Sequence, residues 1–170
     1  MYKKLKSALT LIFGIAAIGL FQSVNADWMN DAGGVITAGD AQDIVISLKS
    51  NPMSNPEMAC LAVTFANMLS ANGANVTLFV TLDGVSLADE SVASSRRFKC
   101  DIPSGEISLK ENLEKFLGGS PGDTGYNRDN MVVCPLCWNS RYDDEPPYYG
   151  FKSSEAVGKM ILDAEKILDF

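Results

Sequence analysis

The chain has 170 residues and a formal net charge of −7, from 14 Lys+Arg against 21 Asp+Glu, with four cysteines and no histidine. The acidity argues against a nucleic-acid partner, because phosphate recognition needs a basic surface. The absence of histidine excludes Ser-His-Asp and Cys-His catalysis and every His-ligated zinc or haem site. The length suits one domain with a tail, and a hydrophobic fraction of 46% with 21% charged residues is that of a folding chain.

Lys3, Lys4 and Lys6 form a basic start, and Ala8 to Phe21 is an almost wholly apolar run of 14 residues. Val24 and Ala26 then fit the −3 and −1 positions of a signal-peptidase site, so residues 1–26 read as a secretory signal peptide cleaved after Ala26. The run is short of the ~20 residues that span a bilayer. Cleavage removes three lysines and no acidic residue, leaving 144 residues with 11 basic and 21 acidic, a net charge of −10. A bacterial signal of this kind places the protein in the periplasm or outside the cell, where cysteines meet oxidising conditions.

Residues 27–42 are rich in Gly, Asn and Asp and read as an irregular arm. Asp43 to Leu48 is a short β-branched apolar run, a buried strand. Asn55, Pro56 and Glu57 suit a helix start, and Gly73 a helix end. Between them Met58, Leu61, Ala62, Phe65, Met68 and Leu69 recur at helical spacing, predicting an apolar stripe in the core. Asn75 to Leu82 is a second strand turned by Asp83-Gly84, and Val85 to Ser94 a short helix. Ser95 to Ser108 has no regular pattern. Leu109, Leu113, Phe116 and Leu117 mark a helix ended by Gly118-Gly119. Met131 to Val133 is a third strand running into Cys134, Tyr149 to Lys152 a candidate fourth, Ser153 to Ala164 a helix, and Lys166 to Phe170 the last strand. The alternation predicts an α/β fold: a mostly parallel sheet of about five strands with helices on both faces, a three-layer sandwich. Neither a dinucleotide fingerprint nor a phosphate-binding loop is present.

The segment Val132-Val-Cys-Pro-Leu-Cys137 carries the chemistry. Cys134 stands at the carboxyl end of a strand, the edge of a parallel sheet where ligands gather. A helical turn starting at Pro135 would aim N–H groups at the Cys134 sulfur and favour its thiolate, the nucleophilic form. Cys137, three residues on, is within disulfide reach and could resolve a product formed on Cys134. A thiol–sulfur transfer site, a structural disulfide and a metal clip compete. With one C-x-x-C and no histidine, the metal reading has only two ligands, and no metal or other cofactor is expected. Cys60 and Cys100 are accessory candidates: Cys60 lies off the apolar stripe, where it could approach Cys134 or simply pack, and Cys100 is a disulfide half or a free thiol. Arg141, a helical turn beyond Cys137, could hold an anionic sulfur species or be a solvated charge. Trp138, Tyr142, Tyr148, Tyr149 and Phe151 form an aromatic cluster suited to packing or to lining a contact.

The chain from about Asp43 to Phe170 resembles the DsrE/DsrF-like family, sulfur-relay proteins that include the TusD-type carriers. Ile44-Val-Ile-Ser-Leu48 with the Asn55-Pro-Glu57 helix start, Gly73-Ala-Asn-Val-Thr-Leu-Phe-Val-Thr-Leu-Asp-Gly-Val85, Val132-Val-Cys-Pro-Leu-Cys137 and Ala164-Glu-Lys-Ile-Leu-Asp-Phe170 carry the resemblance. It implies a small Rossmann-like sandwich assembled as a trimer or hexamer, with Cys134 able to hold sulfur as a persulfide. The family's relay members work in the cytoplasm, whereas this sequence reads as exported. Three functions follow from the pattern: a periplasmic sulfur carrier exchanging with a donor or acceptor protein or a small sulfur species, a thiol–disulfide oxidoreductase using Cys134 and Cys137, and a non-catalytic binding or assembly subunit with its cysteines in disulfides. Nothing after the signal reaches membrane-spanning length.

Overall fold

The computed structural model describes residues 42–94, 99–102, 105–144 and 152–170. Among these, four parallel strands form one sheet in the order β5-β2-β1-β6, where β1 is Asp43–Leu48, β2 Asn75–Val80, β5 Met131–Val133 and β6 Lys166–Asp169. Two further strands, β3 (Lys99–Ile102) and β4 (Gly105–Ser108), pair antiparallel as a separate hairpin. This hairpin occupies the stretch whose sequence showed no pattern. The candidate strand over Tyr149 to Lys152, the signal peptide and nearly all of the arm lie outside the described residues.

The period-two alternation of each strand assigns the two faces of the sheet. Ile44, Ile46 and Leu48, with Val76, Leu78 and Val80, and Met131 and Val133, face α1 (Pro56–Ala71) and α3 (Leu109–Leu117) in the main core. On the opposite face Val45, Phe79 and Val132 pack with Val157, Met160 and Ala164, from and just after α5 (Ser154–Asp163). The two remaining helices are short: α2 (Glu90–Ala93) and α4 (Pro135–Asn139). Helices on both faces of a parallel sheet give the expected sandwich.

α1 corrects the expected stripe. Its buried residues are Ala59, Ala62, Val63 and Ala66, while Leu61 is exposed and Met58, Phe65, Met68 and Leu69 are only half-buried. Small side chains at this spacing let the helix axis approach the sheet closely, so the larger residues fall at the margins of the contact. α3 follows its pattern: Leu109, Leu113, Phe116 and Leu117 are buried, and Gly118 ends it in the left-handed conformation at φ 78°. A capping box that the pattern did not reveal starts it, with Ser108 and Glu111 bonding each other's backbone N–H groups.

β2 is shorter than predicted. It ends at Val80, and a 3-10 turn over Leu82–Ala88 folds back against the end of β1. Gly84 N–H donates to the Lys49 carbonyl at 3.0 Å, and a Cβ at Gly84 would sit 2.1 Å from the Leu48 carbonyl oxygen. Since that obstacle is backbone, Gly84→Ala is expected to cost about 1–3 kcal/mol, the usual range for overpacking. A denaturant midpoint within a few tenths of a kcal/mol of wild type would contradict the contact.

Candidate functional site: a cysteine pair at the carboxyl edge of the sheet

Pairing of β5 with β2 runs Leu78 to Met131, Phe79 to Val132 and Val80 to Val133. Cys134 N–H continues it by donating to the Val80 carbonyl at 3.0 Å. Pro135 then turns the chain into α4, since its ring is preset for a first helical position and has no N–H to lose. The Trp138 N–H donates to the Cys134 carbonyl at 3.0 Å and closes the turn. The result places the half-buried Cys134 and Cys137 sulfurs 2.7 Å apart, with the Cys134 thiol as donor. A disulfide bond of about 2.05 Å is therefore less than 1 Å of sulfur movement away.

Thr81 and Leu82 arrive at the same place from the end of β2. Thr81 Oγ1 lies 3.5 Å from Cys137 Sγ, and the Leu82 backbone N–H is among the groups that favour its anion. Burial alone would raise the Cys137 thiol. Hydrogen bonds from Cys134, Thr81 and Leu82, with the positive charge of Arg141, outweigh burial and hold Cys137 below the ordinary cysteine value. Burial and the bond to Cys137 push Cys134 the other way, above its ordinary value; the Cys137 N–H and Thr81 favour its anion too weakly to compensate. The Cys137 N–H is the donor that the helix start was expected to aim at Cys134, and it acts against the burial of that sulfur. α4 has only five residues and begins with a proline, so little dipole and few free N–H groups face Cys134.

Arg141 donates to the Cys137 carbonyl at 3.0 Å and to Ser140 Oγ at 2.9 Å, and its other Nη pairs with the Asp83 carboxylate. It is an exposed side chain that ties α4 to the turn after β2. Cys60 and Cys100 are joined in a disulfide with Cα atoms 5.2 Å apart. Cys60 therefore does not reach Cys134 as a thiol, and Cys100 is not free. Trp138 is buried and stacks on Tyr142 with ring centroids 4.0 Å apart, its indole N–H donating to the Asp144 carbonyl. These two aromatics pack, while Tyr148, Tyr149 and Phe151 lie outside the described residues. Among the described residues no three His, Cys, Asp or Glu side chains gather as a metal site would need.

No family model matches the sequence, and no curated protein is significantly similar to it. The fold does have a solved counterpart. The crystal structure of the ychN protein from E. coli superposes with a TM-score of 0.50 at 19% identity, over 76% of this chain and 99% of that chain. At that identity the similarity establishes the small α/β sandwich with a mostly parallel sheet. The functional reading rests on the residues themselves.

Chemically, a cysteine pair that can hold one sulfur as an anion and bring a second thiol into bonding contact can attack a sulfur electrophile and resolve the adduct. Thr81 and Leu82 are the residues the sequence did not single out, and Asp83 was read only as part of a turn. Only the register gives them away, because extending the Val80–Val133 pairing by one residue sets Thr81 beside Cys134.

Proposed function

We propose that the chain is a sulfur-handling protein of the DsrE/DsrF-like type, working outside the cytoplasm and taking up sulfane sulfur on the Cys134/Cys137 pair. The observation that carries the reading is the 2.7 Å separation of two half-buried thiols at the carboxyl edge of the sheet. With Cys60 and Cys100 bonded to each other, it is the one dithiol left for chemistry. The fold shared with the ychN structure accords with the family resemblance of the sequence. Export is supported by the basic and apolar pattern of residues 1–26 and by the Cys60–Cys100 disulfide, a feature of oxidising compartments. Self-association as a trimer or hexamer belongs to the same reading. Exposed Ile161, Leu162 and Ile167 offer it an apolar surface, and sedimentation measures it.

The test is the intact mass of native protein after brief exposure to inorganic polysulfide and removal of small molecules. The expected product carries the mass of one added sulfur atom, or has lost two hydrogens as a disulfide with release of sulfide. The double variant Cys134→Ser/Cys137→Ser is expected to show neither change; a sulfur adduct persisting there sinks the reading. The same short sulfur–sulfur distance also favours a second reading, a thiol–disulfide oxidoreductase. Redox exchange with a small dithiol but no uptake of sulfur would select it, and a reduction potential below about −300 mV would mark the pair as structural instead.

A further inference from the structure

The two sulfurs of the pair are not equivalent. Thr81 holds the capping position of the turn after β2, yet its hydroxyl makes no capping bond and stands 3.5 Å from Cys137 Sγ. Leu82, next in the chain, has φ 49°, the one positive φ outside glycine among the described residues. That conformation is unfavourable for an ordinary L-residue and persists only where the surroundings impose it. Here the turn is held by Gly84 against β1 and by the Asp83–Arg141 pair against α4. Both cysteines pack against the main core, but Cys134, at the strand end, also packs against the second apolar cluster and donates its proton toward Cys137.

We propose that Cys137 is the sulfur that attacks and then carries sulfane sulfur, that Cys134 is the resolving thiol, and that Thr81 and Arg141 position Cys137 for this. The assignment rests on the sulfur-handling reading above and distributes the roles within it, inverting the order that the resemblance implies. In loading, the Cys137 thiolate attacks the terminal sulfur of a polysulfide anion. A bond forms between Cys137 Sγ and that sulfur, the adjoining polysulfide bond breaks, and its electron pair leaves with the shortened polysulfide. In discharge, the Cys134 sulfur attacks Cys137 Sγ and its proton leaves with the displaced sulfur as HS⁻. The Cys134–Cys137 disulfide forms as the carried sulfur is reduced to sulfide, so the dithiol itself supplies both electrons.

Cys134→Ser and Cys137→Ser, each with one thiol left in the pair, separate the roles. Serine keeps an O–H where Cys134 donates. The rate of alkylation by iodoacetamide against pH is expected to reach half-maximum at lower pH for Cys134→Ser than for Cys137→Ser. Adding Thr81→Val or Arg141→Gln to Cys134→Ser is expected to raise that midpoint and cut alkylation at pH 7 by roughly three- to tenfold. Thr81→Ser restores it, an effect that a merely structural role would not produce. After polysulfide, Cys134→Ser is expected to keep the added sulfur and Cys137→Ser to have none. A lower midpoint for Cys137→Ser, equal sulfur on both, or sulfur on Cys137→Ser alone overturns the assignment and leaves the sulfur-handling reading standing. No sulfur on wild type or on either variant overturns that reading, and the carrier role with it.

Discussion

Cys60→Ser is expected to lower the stability of the chain by about 4 kcal/mol, the loop-closure entropy of a bridge across 40 residues. Against a typical net stability of roughly 5–15 kcal/mol, that is a large fraction. The physical role of the bridge is local as well. The β3–β4 hairpin has two strands and no place in the main sheet, and an isolated pair of strands is marginal in water. Cys100 is buried on β3 and its partner lies on α1, so the bond fixes the hairpin to the helix that covers the sheet. Urea unfolding of wild type and variant, with the slope compared as well as the midpoint, measures the loss. A midpoint change worth under 1 kcal/mol would mean that the bridge is not formed in the native protein. The variant is not expected to lose its reactive thiols, because Cys134 and Cys137 sit on other elements.

Trp138→Ala is expected to cost about 3–5 kcal/mol, the range for removing a buried large aromatic. The indole fills the space behind α4, stacks on Tyr142 and donates its N–H to the Asp144 carbonyl. It is also the residue whose backbone closes the turn holding the two sulfurs together. Loss of the ring therefore acts on the site: α4 loosens, and the Cys134–Cys137 disulfide is expected to form more slowly on oxidation. Trp138→Phe keeps most of the stacking surface and loses only the indole donor, so it should be markedly milder in both respects. Equal effects of Ala and Phe would contradict the packing argument.

Most of the sandwich was legible along the chain because its signals are local. The β-branched run in β1, the spacing of Leu109, Leu113, Phe116 and Leu117, and Gly118 at the helix end each depend on a few neighbouring residues. The β3–β4 hairpin was not legible. Its strands are four residues each, carry Lys, Asp and Glu among few apolar residues, and lack the alternation of a half-buried strand. The phase of α1 was misjudged because alanine weighs little in an apolar pattern yet dominates where a helix must lie close to a sheet. The cysteine pair at the strand end was visible in Val132-Val-Cys-Pro-Leu-Cys137. The Cys60–Cys100 pairing and the preference for Cys137 as the anion were not. Both arise from tertiary contact, the second from Thr81, more than 50 residues earlier in the chain.

The fold thus works as a scaffold that ends two neighbouring strands at one point. β5 leads into a cysteine and a short helix bearing the second; the turn after β2 brings the Thr81 hydroxyl beside them. The proposed asymmetry between the sulfurs rests on the Thr81 hydroxyl 3.5 Å from Cys137. It also gives a sign to the pH dependence. Because Cys137 is held below the ordinary cysteine value, reactivity at the pair should persist below the pH at which a free cysteine loses it, and fall off as the lowered value is crossed.

The most direct measurement is peptide mapping by mass spectrometry of native protein treated with polysulfide, alkylated and digested with trypsin. The peptide spanning residues 129–141 holds Cys134 and Cys137 and should carry the added sulfur or their disulfide, while the peptides containing Cys60 and Cys100 remain linked to each other. Added sulfur on Cys60 or Cys100, or a 129–141 peptide alkylated at both cysteines with no sulfur taken up, would contradict the account.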